Sequence, residues 1–211
     1  MTIRMLTEMA DFEKCVNLQR ETWGWADLDL LPARFLVVQH HIGGVLLGAF
    51  EQSRLIGFLN AIPGIRNGMP YWHSHMLAVA RNQWNTGIGS ELKLAQREHA
   101  RQRGIKLIEW RFDPLESKNA YINIEKLGVI VRRYHVNLYG QTTATLQQGL
   151  DSDRVIAEWW IDRPRTTIDR TSQDLRRVFI PGDIQALKAQ SLASARDVQQ
   201  RVRDQFTKNI E

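Results

Sequence analysis

The stretch His73–Gly104 reads HSHMLAVARNQWNTGIGSELKLAQREHARQRG and contains an apolar strand, a short polar loop, a glycine pair and a charged helix. The strand ends at Val79, and the helix begins around Gly87-Ile88-Gly89. Glycine allows a tight turn and a close approach of a ligand to the main chain. The first turn of a helix presents unpartnered N–H groups at the positive end of the helix dipole. This order of elements predicts a phosphate or pyrophosphate site, and therefore a nucleotide-bearing ligand.

Two common phosphate loops do not fit this stretch. A Walker loop places Lys and then Ser or Thr directly after its last glycine, whereas Gly89 is followed by Ser90-Glu91. A dinucleotide loop needs a third glycine and lies near the first strand, whereas this loop follows the fourth predicted strand. The nucleotide-bearing ligand is therefore expected to be of another kind.

The composition indicates one domain of moderate size with an appendage. The chain has 211 residues, 43% of them hydrophobic, which supports a core and argues against disorder. No apolar run is long enough to span a bilayer, and the N-terminus lacks the apolar core of a signal peptide. Cys15 is the single cysteine, which excludes an internal disulfide, and its place in a predicted helix favours a buried packing thiol. These features predict a cytoplasmic protein.

The net charge of +5 does not by itself indicate nucleic acid binding. The basic residues are spread along the chain and are not clustered with aromatic residues. Many lie on the predicted helix after the glycine loop, where Lys93, Arg97, Arg101 and Arg103 are interleaved with Glu91 and Glu98 at salt-bridging spacings. A solvated helix face is the favoured interpretation, and nucleic acid is an unlikely partner.

The predicted element order is a strand, two helices, three strands, a helix, a strand, a helix and two strands, within domain 1–165. Asn67-Gly68 marks a turn, and Thr7 and Pro32 mark helix starts. Residues 166–211 form a predicted C-terminal extension, with a short strand at Leu175–Ile180 and a charged helix from Asp183. The predicted strands are 2–6, 45–50, 55–61, 71–79, 106–112, 129–136 and 154–161; the helix after Pro114 spans 115–127. Predicted buried positions on the helices are Phe12, Val16, Gln19, Phe35, Val38, Ile88, Leu92, Ala95, His99, Ile184, Leu187, Val198, Val202 and Phe206.

The pattern LAV-x7-GIG-x2-L, followed by a charged helix ending at Arg103-Gly104, resembles the coenzyme A loop of the GNAT acyltransferases. The element order over residues 2–162 is also similar to that family, and Leu127-Gly128-Val129 stands where its members have a Leu-Gly-Phe motif. The resemblance implies an α/β fold with a mixed, mostly antiparallel sheet flanked by helices. The chain is still more similar to one bacterial subgroup of predicted acetyltransferases, through His73–Val79, Leu92–Arg97, Trp110, Phe112–Leu115, Asn119-Ala120, Tyr139-Gly140, Glu158–Trp160 and Ile180–Lys188.

The resemblance implies which residues hold acetyl-CoA or another acyl-CoA. Main-chain amides at Leu77 and Val79 would pair with the pantetheine arm as an added strand does. Asn119 and Asn123 would replace the family's coenzyme-contacting Asn, whose position is Ser117 here. Amides of the loop and helix start would bind the pyrophosphate, and these belong to Trp84, Asn85, Thr86, Gly87, Ile88, Gly89 and Ser90. Trp84 departs from the family's usual Arg or Gln.

Acyl transfer to an amine needs a base for the ammonium proton and an acid for the departing thiolate. Strand alternation places His73 and His75 on the same face as Leu77, and histidine titrates near neutrality. His75 is the preferred base and His73 the second choice; hydrogen-bonded structural histidines are the alternative. The family's acid is a tyrosine at the position of Ile124. Tyr139, before a glycine at a predicted strand end, is the candidate replacement, with simple packing as the alternative.

Three further residues are candidates for binding the acceptor. Trp23 and Trp25 lie between the first two helices, which border the acceptor site in GNAT proteins. Asp113 would bind an ammonium group or cap the following helix, and capping is favoured. His40-His41 lack a carboxylate or cysteine at ligand spacing, so no metal site is predicted.

The resemblance implies an acyl-CoA-dependent N-acyltransferase acting on a small amine or amino acid, with an acetyl group or a larger one such as succinyl. The departures at Trp84 and Ile124 keep open a second hypothesis, a coenzyme A-binding module that lacks catalysis and serves regulation or assembly. A third, weaker hypothesis is acyl transfer involving tRNA, for which only the basic charge argues. The protein is expected to act without a membrane, and a homodimer is a possible assembly.

Overall fold

The computed structural model describes residues 1–140, 149–164 and 177–209. Seven strands form a mostly antiparallel sheet with helices on its sides, which confirms the predicted α/β fold class. The strands are β1 Thr2–Met5, β2 Val45–Glu51, β3 Arg54–Arg66, β4 Met69–Val79, β5 Leu107–Phe112, β6 Ile130–His135 and β7 Arg154–Trp160. The helices are α1 Met9–Trp23, α2 Ala33–His41, α3 Ile88–Gln102, α4 Ser117–Ala120, α5 Ile184–Gln190 and α6 Leu192–Asn209.

The chain divides into two compact units, the first formed mainly by Met1–Trp110 and the second by most of the chain from Arg111 onward. The predicted boundary between residues 165 and 166 lies outside the described residues. So does the start of the strand predicted at Leu175–Ile180. Its described part, residues 177–180, is not a strand.

In the first unit, β1, β2, β3 and β4 pair as successive antiparallel neighbours. The β3–β4 turn is at Asn67-Gly68, where φ is 52° and 76°. These positive values suit the tight hairpin turn that the Asn-Gly pair predicts. One helix start was wrongly predicted, because α1 is preceded by Glu8 and not by Thr7 at the N-cap position.

The packing of α1 agrees with the sequence prediction for Cys15. The residue is fully buried beside Phe12 and Leu36, in a cluster that also includes Phe58 of β3. Burial raises the pKa of the Cys15 thiol to about 12. The thiol is therefore a packing group and is not poised as a nucleophile.

The inward face of α2 differs from the prediction. Phe35 and Val38 are 44% and 50% exposed, whereas Leu36 and Gln39 are buried. The Gln39 side-chain oxygen accepts a 2.7 Å hydrogen bond from the amide of Asn60 on β3. Because a buried polar pair helps set the rotation of α2, the apolar pattern alone selected the wrong face.

The inward face of α3 also carries polar residues. Ile88 and Leu92 are buried as predicted, but Ala95 and His99 are only partly buried. Lys93 and Gln96 are buried, so the prediction that Lys93 lies on a solvated face is wrong. The outer face does carry the expected ion pair, in which Arg101 lies 2.9 Å from Glu98.

In the second unit, β6 and β7 pair antiparallel. The helix predicted over 115–127 is instead the short α4 followed by a π-helical segment, Tyr121–Lys126. The C-terminal helix is two helices, α5 and α6, separated at Ser191. The predicted buried stripe of this region is confirmed, because Ile184 and Val202 are buried and three other members pack on them, namely Leu187, Val198 and Phe206.

A buried polar network joins α6 to the β6–β7 region. The carboxylate of Asp153 is fully buried and accepts a 2.5 Å hydrogen bond from the Tyr134 hydroxyl. Arg203 of α6 donates two hydrogen bonds of 3.0 Å to the same carboxylate. Such a charge-assisted double contact fixes orientation as well as distance. The C-terminal helix is therefore an integral part of the second unit.

Candidate active site

The glycine loop leaves the start of α3 open. Asn85 and Gly87 have φ values of 65° and 94°, in the left-handed region that suits asparagine and glycine. The Thr86 hydroxyl donates a 2.7 Å hydrogen bond to the Gln83 carbonyl, which folds the loop back on itself. No side chain caps α3. The first-turn N–H groups, those of Ile88, Gly89 and Ser90, are therefore available to an anion.

The edge of β4 next to this loop is also open. Ala80 N–H donates to the Ile56 carbonyl at 2.9 Å. Main-chain groups of an antiparallel strand point alternately to its two sides, so those of Leu77 and Val79 point away from β3. On that side, within the described residues, β4 pairs with β5 only at Trp72 and His73. Beyond His73 the strand thus offers an edge on which an extended ligand can bind.

The indole of Trp84 bonds to one main-chain carbonyl on this edge. Its Nε1 donates a 2.8 Å hydrogen bond to the Val79 carbonyl, while 45% of the residue stays exposed. The N–H of Val79 and both main-chain groups of Leu77 are not used by this contact. The Trp84 side chain therefore bonds directly to the β4 edge. Its departure from the family motif did not predict this contact.

A β-bulge changes the face pattern of β4. The register passes from Met76 opposite Asn60 to Ser74 opposite Ala61, so His75 is the extra residue of the bulge. Ser74 contacts Lys93 of α3, and a Cβ at Gly89 of α3 would lie 3.6 Å from Leu77. Ser74 and Leu77 therefore both face α3 although they are three residues apart, so the bulge interrupts the alternation that predicted a shared face for His73 and Leu77.

His73 and His75 remain neighbours across the bulge. Their ring centroids are 6.2 Å apart, with His73 half-buried and His75 exposed. His73 is also the last β4 residue in register with β5, opposite Glu109. Both candidate bases therefore stand where the two strands part.

The other candidate coenzyme and acid residues belong to the second unit. Tyr139 lies in a turn after β6, which ends at His135, so its predicted place at a strand end is wrong. Its N–H donates to the Ser152 hydroxyl at 2.8 Å, and the Arg154 guanidinium lies 5.4 Å from its half-exposed ring. Asn119 is exposed on α4, whereas Asn123 is buried in the π-helical segment.

Trp23 and Trp25 form a stacked pair in the first unit. Trp23 ends α1, Gly24 follows with φ 64°, and the two indole rings lie 4.5 Å apart at 24°. Both are partly buried against the cluster around Phe12. The pair is a rigid aromatic surface of the kind that stacks on an apolar or cationic substrate group.

Asp113 closes a short turn before α4. Its Oδ1 accepts a 2.8 Å hydrogen bond from Leu115 N–H, and Arg154 lies 3.8 Å from its Oδ2. Burial raises the pKa of Asp113 to about 6, against the lowering effect of the Leu115 bond and of Arg154. Because α4 begins at Ser117 after Glu116, this contact closes a turn before the helix, and the prediction that Asp113 caps the helix is wrong. An acceptor-binding role stays a prediction.

Asp113→Asn should raise stability at neutral pH. The folded-state pKa lies above the ordinary 3.8, so ionisation destabilises the fold, and stability falls as pH rises through the window from about 4 to 6. The substitution keeps a side-chain oxygen that accepts from Leu115 N–H and removes the free-energy cost of ionising a buried carboxyl group. We expect a gain of up to about 2 kcal/mol at pH 7 and little gain at pH 4.

Urea unfolding between pH 4 and 8 measures this difference, with Asp197→Asn at an exposed position of α6 as the control. A gain that is equal at pH 4 and pH 7 would contradict the raised pKa.

Neither a metal cluster nor a membrane-spanning helix is present among the described residues. No group of three or more His, Cys, Asp or Glu side chains there is arranged to hold a metal ion. None of the described helices combines the length and apolarity needed to cross a membrane.

Comparison with known proteins identifies the family. Residues 12–128, more than half of the chain, match the acetyltransferase (GNAT) family. The chain belongs to the GNAT acetyltransferase family. It is accordingly a GNAT-type N-acyltransferase that uses acyl-CoA, and the open β4 edge and uncapped α3 fit that co-substrate. No curated protein sequence matches this GNAT chain.

Solved structures share the fold of this GNAT protein. An aminoglycoside 6'-acetyltransferase type Ii is 23% identical, with a TM-score of 0.60 over 79% of this chain and 100% of its own. An aminoglycoside 6'-N-acetyltransferase complexed with coenzyme A is 20% identical, with a TM-score of 0.59 over 79% and 100%. The ribosomal-protein-S18-alanine N-acetyltransferase from Escherichia coli is 14% identical, with a TM-score of 0.58 over 81% and 97%.

Proposed function

We propose that the protein transfers an acyl group from acyl-CoA to a small amine or amino acid by direct attack of the nitrogen on the thioester. The observation that carries this proposal is the open edge of β4. It leads from the uncapped start of α3, past Val79 and Leu77, to the bulge at His75. A pyrophosphate at the helix start and a pantetheine arm along the edge would bring the thioester toward the two histidines.

The proton transfers follow from this placement. His75 would take a proton from the acceptor ammonium, and His73 would assist or replace it. The amine then attacks the thioester carbon while a main-chain N–H of the β4 edge stabilises the oxyanion. The C–N bond forms, the C–S bond breaks, and the thiolate takes its proton from Tyr139 or from water.

The acceptor class rests on the first unit. Trp23 and Trp25 offer a stacked aromatic surface close to the α1 C-terminus. Such a surface suits an acceptor with an apolar or cationic side group. Asp113, which belongs to the second unit, is a further candidate for a charge contact with an ammonium group.

A thiol-release assay tests the function. Acetyl-CoA and succinyl-CoA are offered with a panel of amines and amino acids, and free coenzyme A is measured. Amine-dependent thiol release supports the proposal. Coenzyme A binding without release by any pair would favour the second candidate, a regulatory or assembly module, which the departures at Trp84 and Ile124 support.

Tyr139→Phe tests the acid. The substitution keeps the ring beside Arg154 and removes only the hydroxyl, so packing should change little. If Tyr139 protonates the thiolate, turnover should fall about tenfold or more and the high-pH limb of the rate profile should shift. Tyr121→Phe, at another exposed tyrosine, is the control. Unchanged turnover in Tyr139→Phe would leave protonation to water.

A cytoplasmic location, a homodimeric assembly and the absence of nucleic acid from the reaction remain part of the proposal. Size-exclusion chromatography with light scattering tests the assembly. A clustered basic face with steeply salt-dependent RNA binding would instead favour the tRNA hypothesis.

A further inference from the structure

A group of buried donors lies where β4 and β5 part. The last β4–β5 pair is His73 with Glu109, and the next residues are Ser74 on β4 and Trp110 on β5. The Lys93 side chain lies in this fork between the two strands. Its Nζ is 2.9 Å from Ser74 Oγ and 3.6 Å from the centroid of the Trp110 ring.

The contacts that Lys93 makes with described residues are all to uncharged groups. Its third contact is Gln96 Oε1 at 3.4 Å, and Ser74, Gln96 and Trp110 carry no charge. Glu109, which precedes Trp110 on β5, is in an ion pair with Arg66 at 3.3 Å. Buried lysines are normally paired, because an isolated buried charge is costly. Burial accordingly lowers the pKa of Lys93 well below its usual value.

A second donor beside Lys93 has no acceptor. Gln96 is 0% exposed, and its Nε2 finds no hydrogen-bond partner among the described residues. An unsatisfied buried donor costs about 1–3 kcal/mol, so such a group needs an explanation. Lys93 Nζ and Gln96 Nε2 are two buried donors on one helix. The two oxygens of a carboxylate could accept a hydrogen bond from each of them.

The fork also lies in the direction in which an acyl chain would extend. From Val79 to Ser74 is five residues, roughly 16 Å along a strand. A coenzyme held by the start of α3 and by Val79 and Leu77 would point its thioester toward the bulge. The acyl group beyond the thioester would then approach Ser74 and Lys93.

We propose that Lys93 and Gln96 form a binding site for a carboxylate at the far end of the acyl group, so that the preferred donor is a dicarboxylic acyl-CoA. This inference rests on the proposed function, because it takes the acyl-CoA to lie along β4. The incoming carboxylate would accept hydrogen bonds from Lys93 Nζ and Gln96 Nε2, and its negative charge would raise the lowered pKa of Lys93. Ser74 and Trp110 hold the amine in place before the ligand arrives.

The probe pair is succinyl-CoA and butyryl-CoA, which differ by a carboxylate in place of a methyl group. Calorimetry on the whole chain should show succinyl-CoA binding about tenfold or more tightly, a difference of at least about 1.4 kcal/mol. Lys93→Met fills a similar volume without the amine and should remove most of this preference. Gln96→Met should reduce it partly, and both variants should bind butyryl-CoA as the wild type does.

Proton uptake distinguishes a binding role from a purely structural one. Measured in buffers of different ionisation enthalpy at several pH values from about 7 to 10, succinyl-CoA binding should take up protons in the wild type because it raises the pKa of Lys93, whereas butyryl-CoA binding should not. The uptake should vanish in Lys93→Met. Equal affinities for the two ligands, or a preference that survives Lys93→Met, would overturn the inference. If neither acyl-CoA binds, the proposed function itself fails.

Discussion

His75→Ala should lower turnover by roughly 10² or more, the lower end for general base catalysis, while coenzyme A affinity stays close to that of the wild type. His75 is exposed at the β4 bulge, so removal of its imidazole should not open a cavity in the core. The loss should be greatest below the pKa of the acceptor amine, where the substrate nitrogen is mostly protonated.

Steady-state rates across pH, with coenzyme A affinity measured separately by calorimetry, check this expectation. His73→Ala is the matched variant, because its ring lies 6.2 Å from that of His75. A larger loss in His73→Ala would transfer the base role to His73. Full turnover in both variants across the pH range would mean that neither histidine is the base.

Gly89→Asp should weaken coenzyme A binding more than tenfold, by at least about 1.4 kcal/mol. The added charge would stand in the first turn of α3, where the pyrophosphate is expected. A Cβ at Gly89 meets only ordinary contacts, 3.6 Å from Leu77 and 4.0 Å from Val79. Gly87 is a less suitable position, because its φ of 94° makes any substitution strained.

The stability of the same variant separates binding from folding. An acidic residue in the first turn of a helix interacts favourably with the dipole, and replacing a helical glycine is itself favourable. Gly89→Asp should therefore be at least as stable as the wild type while it binds coenzyme A poorly. Gly89→Asn is the neutral control and should lose less affinity. Equal coenzyme A affinity in folded Gly89→Asp and wild type would show that the loop does not hold the pyrophosphate.

Local sequence signals were sufficient for much of the fold and for the strand, glycine loop and helix start of the candidate anion site. The glycines of the loop, the Asn67-Gly68 turn and the apolar strands act over a few residues, so their conformations follow from nearby chemistry. The stripe on α6 was predictable for the same reason, since Val198 and Val202 repeat at helical spacing.

Only the tertiary structure decided the bulge at His75, the rotation of α2 and the burial of Lys93. The bulge depends on how β4 is registered against β3, and no residue of β4 predicts it. The buried face of α2 depends on the pairing of Gln39 with Asn60, and the burial of Lys93 depends on Trp110 and Ser74. The sequence alone determined that a strand and a helix flank the glycine loop that is the candidate anion site. Long-range contacts, which local patterns do not encode, determined which polar side chains point inward beside it.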